Sequence, residues 1–202
     1  MTPYFEQDGV TLYHGDCREI LPTLGRFDLL LTDPPYGLAD KLQGGTWGKA
    51  FEGKYKDWDA QVPEAAIASA AGCCSNQIIW GGNYCKMPPS RCWLVWYKRD
   101  AVQTMASCEL AWTSFDANAK VFDWTIAATN AERVPHPTQK PIALMRWCLQ
   151  FAPDAKTILD PFAGSGTTLL AARLEGRQAV GIEISERYCE IAANRLRQKL
   201  LF

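Results

Sequence analysis

Asp33-Pro34-Pro35-Tyr36 follows directly on the apolar run Phe27-Asp28-Leu29-Leu30-Leu31-Thr32. A carboxylate, two rigid carbonyl-bearing prolines and an aromatic ring therefore stand together. A hydrogen-bond acceptor beside an aromatic face suits a flat, amine-bearing ring such as a nucleobase. Read alone, the tetrapeptide serves as well for an ordinary turn, because Asp and Pro are turn formers. A second constellation shifts the balance. In Thr157-Ile158-Leu159-Asp160-Pro161-Phe162-Ala163-Gly164-Ser165-Gly166-Thr167-Thr168 an apolar strand enters a glycine turn, and Leu169 to Leu174 continues as a helix. Strand, glycine turn and helix form a nucleotide-binding arrangement, in which glycines permit close backbone approach. It is not a P-loop, which needs Lys and then Ser or Thr after its last glycine, whereas Gly166 is followed by Thr167-Thr168. Nor is it a dinucleotide fingerprint, whose final Gly or Ala position is occupied by Leu169. Glu183 ends the next apolar run, 17 residues after Gly166, where a carboxylate can accept from a ribose hydroxyl pair.

These motifs resemble the DNA amino-methyltransferases that use S-adenosylmethionine to methylate an exocyclic base nitrogen. Asp33-Pro34-Pro35-Tyr36 matches the catalytic motif, and Asp160 to Thr168 the cofactor motif. His136-Pro137-Thr138-Gln139-Lys140-Pro141 matches a frequent companion. The catalytic motif comes first, as in the circularly permuted β group, and the match runs from about Leu12 to Leu196. The resemblance implies a Rossmann-like class I methyltransferase fold: α/β, a mostly parallel sheet with helices on both faces. It implies a catalytic set of Asp33, Pro34, Pro35 and Tyr36. For the cofactor it implies Asp16, Asp33, Thr138, Lys140, Asp160, Phe162, Gly164, Gly166, Thr167, Thr168 and Glu183. Among these, Phe162, Gly164 and Gly166 would line the pocket, Asp16 would contact the adenine end, and Thr138 and Lys140 would lie near the methionine carboxylate. His136 is expected to be structural.

The implied chemistry is direct. An exocyclic amine is a weak nucleophile because its lone pair is delocalised into the ring. The Asp33 carboxylate and the Pro34 carbonyl could each accept one N–H bond and aim the lone pair at the methyl group. Tyr36 would stack on the base after it leaves the duplex. Asp at the first motif position favours adenine N6; cytosine N4 and an RNA adenine are the alternatives. The non-enzymatic alternative, a cofactor-binding DNA-binding subunit, has no chemical need for Asp33 and Tyr36.

The elements that must position these groups alternate strand and helix, which predicts a parallel sheet. Two successive prolines lack the N–H that a ladder needs, so the strand begun at Phe27 ends at Asp33. Further strands are predicted at 10–13, 77–80, 92–97 and 108–113, and helices at 63–71, 141–151 and 185–199, the last with Ser185 as N-cap. The chain, 202 residues, reads as a single catalytic domain. A lid-like loop at about 37–61 carries Trp47, Phe51, Tyr55 and Trp58, and a minimal target-recognition region spans about 88–133. So small a region predicts recognition that is short, lax or helped by a second copy in a homodimer. The resemblance covers both methyltransferases paired with a restriction nuclease and orphan ones.

The remaining composition narrows the class. No signal peptide or membrane-spanning run is visible, and cytoplasmic residence is expected. Eight cysteines without a Cys-x-x-Cys spacing, mostly in apolar runs such as those of Cys92, Cys108 and Cys148, predict buried reduced thiols. Two histidines, His14 and His136, argue against zinc. The net charge of −1 does not favour nucleic acid, but its distribution does. Residues 86–104 sum to +3 and residues 132–146 to +2, against −4 for residues 1–36. Lys41, Lys49, Lys54, Lys56, Lys86, Arg91, Lys98, Arg99 and Arg133 are therefore candidate phosphate contacts.

Overall fold

In a computed structural model of the chain, residues 1–38, 61–103, 105–132, 134 and 139–198 are described. Among the described residues, nine strands form one mixed sheet: β1 (Phe5–Gln7), β2 (Val10–His14), β3 (Phe27–Thr32), β4 (Cys74–Trp80), β5 (Trp93–Tyr97), β6 (Cys108–Thr113), β7 (Lys120–Asp123), β8 (Thr157–Asp160) and β9 (Gln178–Glu183). Their spatial order is β1-β2-β9-β8-β3-β4-β6-β5-β7. The run β2-β9-β8-β3-β4 is parallel throughout, so His14, Glu183, Asp160, Thr32 and Trp80 all end at one edge.

The apolar runs explain this arrangement. Leu29, Leu30 and Leu31 of β3 are fully buried. Alternate side chains point to opposite faces of a strand. Accordingly Leu29 and Leu31 join one core with Leu144, Leu149, Leu169 and Cys189, while Leu30 joins the other with Ile67, Ile79 and Leu159. Helices Ile142–Leu149, Thr167–Leu174 and Glu186–Arg197 cover the first face, and Glu64–Gly72 with the short helix Cys17–Ile20 covers the second. Each fully buried Leu or Ile contributes roughly 1.5–3 kcal/mol, which fixes the depth of β3 and β8 in the sheet. Ser185 takes the N-cap position, but its side chain makes no capping bond.

Beyond β4 the direction changes. β6 runs antiparallel to both β4 and β5, with Trp80 opposite Ala111 and Trp96 opposite Glu109. The amino end of β6 therefore lies at the same edge as the carboxyl ends of the parallel strands. The expected recognition region carries the strands β5, β6 and β7 and the helix Ile126–Ala131, so it is built partly into the sheet. Almost all of the lid-like loop lies outside the described residues. All eight cysteines are free, and Cys17, Cys74, Cys92, Cys148 and Cys189 are buried. Cys108 corrects the expectation: it is exposed, because it opens β6 at the sheet edge. Among the described residues, no helix is long and apolar enough to cross a membrane.

Candidate active site

The glycine turn sits between β8 and the helix Thr167–Leu174. Gly164 and Gly166 both adopt left-handed backbone, with φ of 51° and 77°. A Cβ on Gly166 would also meet the Ala192 Cβ at 2.9 Å. Glycine is thus required twice there, once by conformation and once by helix packing. The Gly164 N–H donates to Glu183 Oε2 at 2.8 Å, and the Ser185 N–H donates to Oε1 at 2.8 Å. Burial raises the Glu183 carboxyl above its ordinary value, and these backbone donors oppose the rise.

Arg195 supports the turn from behind. This buried side chain donates from Nη1 to the Ser165 carbonyl at 2.6 Å and to the Ser165 and Thr167 hydroxyls at 3.1 Å. Burial lowers the guanidinium to about 10.

Asp160 is 2% exposed at the end of β8. Its Oδ1 accepts from the Thr32 hydroxyl at 2.7 Å and from the Phe162 N–H at 3.2 Å. Burial raises the carboxyl to about 6, against the hydrogen bonds from Thr32 and Thr168. Thr32 immediately precedes Asp33, so one hydroxyl ties the glycine-turn strand to the strand that carries the tetrapeptide.

Asp33 lies one residue beyond β3 and is surrounded by charge. Tyr36 donates its hydroxyl to Oδ1 at 2.5 Å, and Lys140 donates its ammonium to Oδ2 at 2.6 Å. The Lys140 ammonium also reaches the Tyr36 hydroxyl at 3.1 Å and Glu109 Oε2 at 3.0 Å. Lys98 pairs with the other Glu109 oxygen. Two carboxylates and two ammonium groups thus form one compact, balanced cluster. Burial raises the Asp33 carboxyl, and the nearby Lys140 charge opposes this. Burial acts in the same direction on Glu109, but Lys140 and Lys98 outweigh it and hold the group down at about 2. The Tyr36 hydroxyl is pushed well up by burial and by Asp33. The Tyr36 ring is stacked on Tyr84, with centroids 5.1 Å apart and planes at 23°. It also lies directly on Gly81, where an added Cβ would come within 2.0 Å of Tyr36 Cε1.

Asp16, Asp33, Pro35, Lys140, Asp160, Phe162, Gly164, Thr167, Thr168 and Glu183 line one cavity of about 1270 Å³. Three placements refine these expectations. Gly166 is not on the cavity wall, because it backs onto Ala192. Lys140 lines the cavity, and its ammonium lies against Asp33 and Glu109. Pro34 and Tyr36 stand behind the wall, the ring held by Tyr84 and Gly81. Asp16 caps the helix Cys17–Ile20, and the hydrogen bonds from Arg18 lower its carboxyl. Thr138 and His136 lie outside the described residues.

The basic patch changes most. Lys98 is turned inward onto Glu109 and the Trp96 ring. Lys86, Arg91 and Arg99 are paired with Glu64, Asp116 and Asp123. A window sum along the sequence cannot register acids supplied by other elements. Lys41, Lys49, Lys54, Lys56 and Arg133 lie outside the described residues. Sequence reading missed Thr32, Gly81, Tyr84, Glu109 and Arg195. Only Thr32 had a signal, its place before Asp33; the others need the sheet order to be found.

The family model of the N6 and N4 DNA methylases matches residues 95–194. The type II methyltransferase M.ScaI of Streptomyces caespitosus is 28% identical, over 96% of this chain and 83% of that protein. The solved M1.HpyAVI–SAM complex superposes with a TM-score of 0.62 at 23% identity, covering 94% of this chain and 100% of that one. PvuII DNA methyltransferase, described as cytosine-N4-specific, gives 0.65 at 16% identity, covering 99% of this chain and 90% of that one. Sheet order, site and these similarities agree: residues 95–194 match the DNA methylase family model, and along nearly its whole length the chain is similar to a type II methyltransferase. The fold of the chain is that of the class I methyltransferases.

Proposed function

We propose that this chain is a DNA methyltransferase that transfers a methyl group from S-adenosylmethionine to the exocyclic N6 of adenine in DNA. The observation that carries the reading is that Asp33 shares one cavity wall with the glycine turn and Glu183. The cavity suits the cofactor. Glu183 spends each oxygen on one backbone donor and keeps lone pairs for a ribose diol. Asp160 and Phe162 flank the turn, and Asp16 serves the adenine end. When bound, S-adenosylmethionine supplies an electrophilic methyl group on a sulfonium.

The chain's own residues do the rest. The incoming amine displaces the Tyr36 hydroxyl from Asp33 Oδ1 and gives one N–H bond to Asp33 and one to the Pro34 carbonyl. Positive charge building on the nitrogen is stabilised by these fixed acceptors. Tyr36 exchanges Tyr84 for the flipped base, a stack worth ~1–3 kcal/mol. Adenine is favoured by Asp at the first motif position. Cytosine N4 is the second reading, favoured by the likeness to the PvuII enzyme. A second copy of the chain would assist recognition.

Methyl incorporation into duplex DNA, single-stranded DNA and RNA, followed by nucleoside analysis, tests the reading. N6-methyladenine in DNA is the expected product, and Asp33→Ala should abolish it while cofactor affinity stays within about threefold. N4-methylcytosine, or methylation of RNA alone, would overturn it.

A further inference from the structure

We propose that Glu109 is a positioning residue for methyl transfer, setting the orientation and charge of the Asp33 carboxylate through the Lys140 ammonium. The proposal rests on the Asp33 amine clamp of the preceding section. Glu109 belongs to no motif of the chain. It reaches the site only because β6 is antiparallel, which carries its amino end to the edge where Asp33 stands.

Lys140 is 4% exposed, and its ammonium lies 2.6 Å from Asp33 and 3.0 Å from Glu109. A buried ammonium serving one carboxylate would neutralise it and hold it in place. Sharing the ammonium between two carboxylates leaves negative charge at Asp33, where a cationic nitrogen must form. Lys98 balances the set from the far side of Glu109, away from the amine site. Without the Glu109 charge, Lys140 turns wholly to Asp33 and competes with the amine for its oxygens.

The groups facing Asp33 are Lys140, Tyr36, Glu109 and Asp160, with Lys98 and Tyr84 one contact further out. Glu109 is the neighbouring anion that opposes ionisation of Asp33, and Lys98 weakens that opposition. Two substitutions therefore act with opposite sign. Glu109→Gln should move the titration of Asp33 to lower pH. Lys98→Met should move it to higher pH.

The test follows methyl transfer by the full-length protein across pH, with a ¹³C-carboxylate NMR titration of Asp33 beside it. Glu109→Gln should lower kcat by about 10²-fold with the cofactor KM within about twofold, as for loss of alignment. Its acidic limb and NMR midpoint should both fall, those of Lys98→Met should rise, and Glu109→Asp should restore part of kcat. Midpoints that stay put in both charge variants would overturn the proposal, as would unchanged kcat in Glu109→Gln. Should Glu109→Gln melt before assay, Lys98→Met and Glu109→Asp carry the same decision. A wild-type protein that methylates no base would remove the functional reading, and the NMR midpoints would still decide the role of Glu109.

Discussion

Replacing Asp160 by Asn should stabilise the unliganded protein increasingly as pH rises. Asp160 is 2% exposed, and burial raises its carboxyl from the ordinary 3.8 to about 6. Below 3.8 the group is protonated in both folded and unfolded chains, and it costs nothing. Between 3.8 and about 6 the unfolded chain ionises while the folded protein holds its proton, so stability falls. Above about 6 the folded protein carries a poorly solvated carboxylate, and the cost is complete. At about 1.36 kcal/mol per pH unit, the span from 3.8 to about 6 amounts to about 3 kcal/mol. Asn has nearly the same shape, and its carbonyl can accept from Thr32, but it does not titrate. Urea unfolding at intervals from about pH 4 to about pH 8 should give a variant-minus-wild-type difference that climbs by about 2.4 kcal/mol, the first ~0.6 kcal/mol having been lost by pH 4. A fixed offset from the amide's own donors would shift the whole curve and leave the climb intact. A flat or falling difference would refute the reasoning. Cofactor affinity should fall in the same variant, since the carboxylate that destabilises the fold is kept for the ligand.

Two other substitutions bear on the site. Gly81→Ala puts a Cβ within 2.0 Å of Tyr36 Cε1 at a backbone φ of +69°, so the ring must move. Methyl transfer should fall by about 10²-fold and stability by ~1–3 kcal/mol, with cofactor affinity little changed; equal losses of activity and cofactor binding would count against it. Arg195→Met removes three contacts behind the glycine turn and also the cost of burying a guanidinium. Stability should fall by only ~1–2 kcal/mol, while calorimetry should show cofactor affinity about tenfold weaker; unchanged affinity would show that the turn needs no such support.

Much of the parallel half was legible because its signals are local. Leu29 to Leu31 announce a strand buried on both faces, prolines end it, and Gly164 and Gly166 mark a turn that only glycine fits. Motifs of this kind need no knowledge of distant residues. The charge cluster was not legible, because Glu109 is an ordinary alternation residue until β6 is known to run backwards beside β4. The acids that face the basic residues were not legible either, for the same reason in reverse. Lys98 and Arg99 look like a surface run, but Glu109 and Asp123, supplied by β6 and β7, neutralise them. Gly166 resembled a pocket residue because motif position does not say which side of a turn faces a helix.

The strand order has a consequence for how the molecule is made. β2 and β3 are successive in the chain, yet β9 and β8 lie between them in the sheet. During synthesis the earlier strands emerge first and cannot close against one another without filling a place that belongs to later ones. Until residues 157–183 arrive, β2 and β3 each present an unpaired edge. The bond from Thr32 to Asp160 joins positions 128 residues apart, and the contact of Lys140 with Asp33 spans 107. Contacts so distant in sequence form late. The strand that carries Asp33 thus meets the glycine turn and Glu183 only when β8 and β9, the last strands of the sheet to be made, are inserted.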